Sequence, residues 1–178
     1  MPYKIRYIYK YGLIIKKMVV KQRLSSRVID EKDKEIMMLL QKDGRMSLTE
    51  IAKKVRLSID SVHNRMKAMQ AKNVYYPGIF VEPRAIGYPL LADVKIKLKN
   101  MSEESRDKLI KYLIGHHNVI DLLGIMGDYD LTCVLIAKDG EELEKISTEI
   151  RQKFRDLIGE WKSVLILKTY KFEQYDLI

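Results

Sequence analysis

Ser47-Leu48-Thr49-Glu50-Ile51-Ala52-Lys53-Lys54-Val55-Arg56-Leu57-Ser58-Ile59-Asp60-Ser61-Val62-His63-Asn64-Arg65-Met66-Lys67-Ala68-Met69 is the stretch that decides the architecture. It holds two helical patterns, each opened by a serine, with a very short turn between them. Ser47 and Glu50 have the spacing of a capping box, in which each side chain accepts the other residue's backbone N–H. Leu48, Ile51, Ala52 and Val55 then share one helical face. Ala52 is small where a crossing helix must approach closely. Ser58 is a good N-cap for the second helix, and Val62, Met66 and Met69 form its inner stripe. Apolar periodicity alone also fits two helices of an ordinary bundle. The paired caps, the short spacer and the polar outer face favour a helix-turn-helix, which holds one short helix across another and presents it to a DNA major groove.

At about 100° per residue, the outer face of the second helix carries Asp60, Asn64, Lys67 and Ala71, flanked by Ser61 and His63. Short polar groups near a helix N-terminus suit base edges, and a lysine further on suits phosphate. Asn64 has the donor and acceptor to pair with adenine, while Ser61 and His63 fit either role. Asp60 repels phosphate, so it must sit over a base edge, face a cation or stay in solvent. Arg56 falls in the turn, where a left-handed residue, usually Gly, is easiest. Arg65 lies at the edge of the buried stripe and serves either an intradomain salt bridge or a phosphate. The DNA-contacting set read from the sequence is Lys53, Lys54, Arg56, Ser58, Asp60, Ser61, His63, Asn64, Arg65 and Lys67.

A third helix precedes these two. Asp30 is its N-cap, Ile36, Leu39 and Leu40 its inner stripe, and Gly44 its end. After Met69, Asn73 can take the left-handed C-cap conformation. Residues 74–81, broken at Pro77-Gly78, read as a small two-stranded wing and linker.

Charge is unevenly placed. The chain of 178 residues has a net charge of +9. Residues 1–89 hold 19 Lys and Arg against 8 Asp and Glu, and residues 90–178 hold 14 against 16. A basic front half joined to a near-neutral back half suggests a polyanion-binding part attached to something else. Much of that excess lies in residues 1–28, which hold eight basic residues and no acidic one. This stretch lacks the apolar core and small-residue cleavage site of a signal peptide. It reads either as a basic, Tyr-rich arm that touches the DNA backbone or as an extension ahead of a natural start at Met18.

No apolar run reaches the length of a membrane span. Cys133 is the only cysteine, so no internal disulfide forms, which fits a reducing cytoplasm. One cysteine and three histidines, two of them adjacent at His116 and His117, give no metal-ligand spacing, and no cofactor motif appears.

From Pro89 the pattern alternates. Leu90, Ala92, Val94, Ile96 and Leu98 interleave with polar residues as a strand with one buried face. Ser102 caps a helix whose apolar face includes Leu109, Ile110, Leu113 and Ile114. Residues 118–126 form a second strand, and a third carries Leu131, Cys133 and Leu135. A helix over roughly 140–158 turns Leu143, Ile146, Ile150 and Leu157 inward, and a last strand runs over about 161–171, with Trp161 at its start. Two βαβ units joined by a hairpin make the ferredoxin-like βαββαβ arrangement. The expected fold is therefore α+β: an N-terminal extension (1–28), a winged helix-turn-helix domain (29–73), wing and linker strands (74–88) and a ferredoxin-like domain (89–178). Helices cover one face of such a sheet. The other face, if it holds apolar residues, needs a partner, so dimerisation through the sheet is expected. His116 and His117 read as solvent-facing turn residues and Cys133 as a small buried hydrophobe. Gly127-Asp128-Tyr129-Asp130 is either a hairpin chosen for turn chemistry or a site whose carboxylates and backbone N–H groups hold a small amphoteric molecule.

This order of parts resembles the Lrp/AsnC family of transcriptional regulators. The resemblance covers about residues 28–172 and rests on Ile29-Asp30-Glu31-Lys32-Asp33, Leu40-Gln41-Lys42-Asp43-Gly44-Arg45, the Ser47–Met69 segment, Gly87-Tyr88 and Gly127 to Asp130. It implies a head that binds double-stranded DNA through a recognition helix over 58–70. It also implies a C-terminal domain that dimerises, assembles further into tetramers or octamers, and senses small molecules, often amino acids. The effector region would involve Gly127, Asp128, Tyr129 and Asp130 at a dimer–dimer contact. The chain departs from the family at Arg56 and Asn73, where Gly is usual, and residues 1–17 have no counterpart in it. The expected function is sequence-specific, cytoplasmic transcriptional regulation without catalysis. The rivals are an architectural DNA-coating protein and a sirohaem-decarboxylase-like subunit, which shares the two-part architecture. Where those enzymes resemble a Tyr-Asn-Leu-Trp-Phe pattern, this chain has Tyr129-Asp130-Leu131-Thr132-Cys133.

Overall fold

Asp30 opens the helical part of the chain. In the computed structural model, which describes residues 28–100 and 102–178, its carboxylate accepts the Asp33 backbone N–H at 2.9 Å, and the Asp33 carboxylate accepts the Asp30 N–H at 3.2 Å. This reciprocal capping box starts α1, Glu31–Lys42. The two readings of the N-terminal stretch fall on residues outside those described. Gly44 does not end α1. The helix stops at Lys42, and the extended Asp43 takes over, its side chain accepting from the Arg45 N–H at 3.0 Å and its carbonyl from Met46 at 3.1 Å. An aspartate turn thus does the work expected of a glycine cap.

α2 spans Leu48–Val55 and α3 spans Ile59–Ala71. Ile36, Ile51, Val55 and Val62 are fully buried where the three helices meet, and Ala52 and Met69 nearly so. Burying each of these four β-branched side chains stabilises the head by roughly 2 kcal/mol. α3 closes with Asn73 at φ 56°, the Asn73 N–H on the Gln70 carbonyl and the Val74 N–H on the Met69 carbonyl. That left-handed cap is the one its sequence anticipates.

The expected wing does not form among the described residues. Residues 74–82 form no strand, and only a 3-10 turn at Pro83–Ile86 precedes the sheet. Val74 and Tyr75 pack on the head core instead of entering a hairpin, Pro77 removes a ladder donor, and Tyr76, Ile79, Phe80 and Val81 are exposed.

The second unit is a four-stranded antiparallel sheet with order β2-β3-β1-β4. Its strands are β1 (Leu90–Leu98), β2 (Val119–Gly124), β3 (Leu131–Ala137) and β4 (Ile158–Leu165), and its helices are α4 (Glu103–Ile114) and α5 (Gly140–Lys153). Ala92, Val94 and Ile96 of β1 and Leu131, Cys133 and Leu135 of β3 share one core with Leu109 and Leu113 of α4 and Ile146 and Ile150 of α5. The ferredoxin-like arrangement is the one read from the sequence, with local corrections. Ile114 is 70% exposed rather than part of α4's inner stripe. α5 ends at Lys153, and Leu157 reaches the core from the following turn. β4 starts at Ile158 and stops at Leu165, so Trp161 lies inside it, opposite Ile96. β4 pairs with β1 as far as Leu165 opposite Ala92, and just beyond it the Ile166 N–H donates to the Leu91 carbonyl at 2.8 Å. The face away from the helices is not uniformly apolar, because Asp93, Lys95 and Thr132 form a hydrogen-bonded cluster there.

The chain divides into two compact units. One is Phe80–Thr169. The other joins the described part of Met1–Ile79 to Tyr170–Ile178. The expected boundary, with everything after residue 88 in one domain, is therefore corrected at the C-terminus. Gln41 on α1 holds the Tyr175 backbone on both sides: its Oε1 accepts the Tyr175 N–H at 2.8 Å and its Nε2 donates to the Tyr175 carbonyl at 3.2 Å. Among the described residues, no helix is long and apolar enough to cross a membrane.

Candidate nucleic-acid interface

The turn between α2 and α3 is held by few bonds of good geometry. Ser47 and Glu50 form the expected capping box. Arg56 takes the left-handed conformation at φ 57° and ψ 51°, and the Leu57 N–H reaches back to the Ala52 carbonyl at 3.1 Å. Ser58 Oγ accepts the Ser61 N–H at 3.2 Å and starts α3. From α1, Lys32 donates its Nζ to the Val55 carbonyl at 2.8 Å while paired to Glu35. A cation on the last carbonyls of α2 also favours its dipole. Sequence reading missed Lys32 because nothing local marks a contact 23 residues away.

α3 presents the face read from its periodicity. Val62 and Met69 are buried and Met66 packs beside them, whereas Asp60, His63, Asn64, Lys67 and Ala71 are exposed. Ser61 is half-buried, and Ser58 is exposed but engaged as the cap. Thirteen residues at about 1.5 Å each make α3 about 20 Å long, enough to lie along a major groove.

The cations divide into two groups. Lys53, Lys54, Arg56 and Lys67 are exposed and form no salt bridge among the described residues. Lys54 lies near enough to Glu50 to help Ser47 hold that carboxyl below its usual range. Arg65 belongs to the other group. Its Nη1 donates to Asp30 at 2.6 Å and to Asp33 at 2.8 Å, so of its two expected roles the geometry takes the intradomain one. The Asp33 N–H and then Arg65 hold the Asp30 carboxyl below its usual range. One arginine thus ties α3 to the N-terminus of α1 through its Nη1. Asp60 forms no ion pair among the described residues, which leaves it in solvent or over a base edge.

The Gly127–Asp130 turn is tied to its own hairpin and to β1 and β4. Asp130 Oδ2 accepts the Leu98 N–H at 2.7 Å, its backbone N–H donates to Ile96 and its carbonyl accepts from Ile125. Tyr129 Oη donates to Glu160 at 2.6 Å, which raises the phenol's pKa. Gly127 sits at φ 143°, a conformation that L side chains rarely adopt. Of the two turn carboxylates, that of Asp130 accepts the Leu98 N–H through one oxygen, and that of Asp128 forms no salt bridge among the described residues.

Elsewhere, Cys133 is fully buried and burial pushes its thiol up to about 12, which suits packing and not nucleophilic attack. His116 is not simply solvent-facing. It is half-buried, stacked on His117 and set edge-on to Tyr112, and its Nδ1 accepts the Asn118 N–H at 3.2 Å.

Residues 29–70 match the model of the AsnC-type helix-turn-helix domain. The chain is 32% identical to the HTH-type transcriptional regulator FL11 of Pyrococcus furiosus over 152 residues, 81% of this chain and 93% of that relative. Its fold is similar to the crystal structure of transcriptional regulator NMB0573 of Neisseria meningitidis in complex with L-Met, with a TM-score of 0.73 and 17% identity over 81% of this chain and 93% of the other. E. coli AsnC is similar at a TM-score of 0.72 and 21% identity, over 83% of this chain and 98% of the other.

Proposed function

The chain belongs to the Lrp/AsnC family of HTH-type transcriptional regulators, and from that premise we propose that it is a sequence-specific, DNA-binding regulator acting as a homo-oligomer in the cytoplasm. The observation that carries this reading is the outer face of α3. It is 13 residues long, anchored through Arg65 and Ser58, and exposes His63, Asn64 and Lys67 with no apolar patch between them. Ser61, His63 and Asn64 read base edges, while Lys53, Lys54, Arg56 and Lys67 neutralise phosphates. Arg65 positions the helix from behind.

A dimer places two such helices in successive major grooves about 34 Å apart, on a near-palindromic site. The second copy pairs through the sheet face that the helices leave uncovered, where Leu123 and Val164 are 57% and 51% exposed. An amino acid or similar small molecule acts as effector beside the 127–130 turn, with Asp128 taking its ammonium group. The L-Met held by the NMB0573 regulator supports that class of ligand. Such a ligand shifts DNA binding only by its difference in affinity for two assembly states. No catalytic step is invoked.

The test is in vitro selection of bound DNA, with and without amino acids. Enrichment of two half-sites about 10 base pairs apart supports the reading. Tight binding without any enriched sequence overturns it in favour of a DNA-coating role.

A further inference from the structure

β1 carries two opposite charges on the face away from the helices. Asp93 and Lys95 are two residues apart, so they point to the same side, and the Lys95 Nζ lies 2.8 Å from the Asp93 carboxylate. Thr132 on β3 joins them, its Oγ1 donating to Asp93 at 2.6 Å and accepting from Lys95 at 3.0 Å. The strand register extends this cluster into two neighbouring rows. One row crosses the sheet as Leu123, Thr132, Lys95 and Lys162. The next crosses it as Asp121, Val134, Asp93 and Val164. The first row carries two positive charges and the second two negative ones. Asp93 and Lys95 are each about a third exposed, and Asp121 and Lys162 are exposed at the two sheet edges.

A patch with this pattern complements itself in only one way. Face-to-face pairing about a two-fold axis along the strands, between β1 and β3, lays each row on its own copy in reverse order, Lys95 over Thr132 and Asp93 over Val134, so neither charge meets an opposite one. An axis across the strands, passing between the rows, lays each row on the other. Packed sheets lie about 10 Å apart, a gap that a lysine and an aspartate side chain can span together. Charges buried at such a centre stabilise only when fully paired, and like charges opposite one another select against the wrong partner.

Resting on the sheet-dimer reading above, we propose that a second copy of this chain docks with its two-fold axis across the strands, so that Lys95 meets Asp93 of the partner subunit. Asp93 and Lys95 are then the determinants of homotypic pairing, closing a ring of four charges beside Val134, with Leu123 and Val164 on the two edge strands.

The experiment compares wild type with Asp93→Lys, Lys95→Asp and the double exchange, using native mass spectrometry and light scattering over a dilution series. Each single reversal weakens its own dimer at least about tenfold, because it sets like charges against each other. An equimolar mixture of the two single variants forms heterodimer well above the statistical half, and the double exchange restores the homodimer. Circular dichroism checks that each variant folds, and if one single variant does not, the double exchange still decides. Single variants that dimerise like wild type, or a statistical mixture, overturn the assignment of Asp93 and Lys95. A wild type that stays monomeric throughout overturns the sheet-dimer reading itself, and this assignment with it.

Discussion

Replacing Arg56 by Gly separates what the turn needs from what DNA needs. Arg56 holds φ 57° and ψ 51°, its side chain is exposed, and it forms no salt bridge among the described residues. The left-handed conformation costs a residue with a Cβ roughly 1–2 kcal/mol, a cost that Gly avoids. Gly returns roughly 0.5–1 kcal/mol of that by enlarging the unfolded ensemble. The net stabilisation is about 0.5 kcal/mol, which raises the melting temperature of a domain this size by about 2–4 °C. On DNA the sign reverses. Each lost phosphate contact lowers the slope of log K against log salt by about 0.9, so a dimer loses about 1.8. At 0.1 M salt that slope makes each contact worth about eightfold and the pair about sixtyfold. The assays are thermal denaturation and fluorescence anisotropy across a salt series. A variant that melts higher and binds DNA with unchanged affinity and slope refutes the placement of Arg56 on phosphate. A variant that melts lower refutes the account of the turn.

Two further outcomes follow from the same geometry. Arg65→Met strips two charge-assisted bonds, one of them to the half-exposed Asp30, and should destabilise the head by about 1.5 kcal/mol while leaving the DNA salt slope unchanged. Denaturant melts and the salt series check both halves of that statement. Burial first, and then the neighbouring His117, lower the His116 pKa in the folded state, with Glu149 opposing them. The stability this gives is complete above the ordinary histidine value, near 6.5, and is lost as pH falls below it, because the unfolded chain then binds the proton more readily. His116→Asn, which keeps an acceptor for the Asn118 N–H, should flatten the fall in melting temperature between pH 7.5 and about 5.5, well above the range in which carboxylates titrate.

The parts of the fold legible in sequence were those that local chemistry determines. Ser47 with Glu50, Ser58, Asp30 and Asn73 act where they stand, and the alternation of Leu90 to Leu98 marks one buried face without reference to any other strand. What was not legible depends on partners distant in sequence. β4 ends at Leu165, opposite Ala92, and nothing in the apolar run from Trp161 onward reveals that its pairing with β1 stops there. The wing does not form over 74–82, where Pro77 interrupts the run and Tyr76 and Ile79 stay exposed, which the apolar composition of the stretch does not reveal. Arg65 looks like a cation at the edge of a recognition helix until the chain brings Asp30 and Asp33 against it, and Gln41 gives no sign that the backbone of Tyr175 will return to it. Asp130 gives no sign in the sequence that one of its carboxylate oxygens accepts the Leu98 N–H, 32 residues away.

The central claim is that α3 reads bases through its outer face, and the selected-sequence profile of Asn64→Ala beside Lys54→Ala tests it most directly. The account predicts that Asn64→Ala relaxes preference at one base pair in each half-site, by about 1–3 kcal/mol, and leaves the others intact. Lys54→Ala should weaken every sequence alike. If both variants weaken all sequences equally, Asn64 does not read DNA and the base-reading surface lies elsewhere.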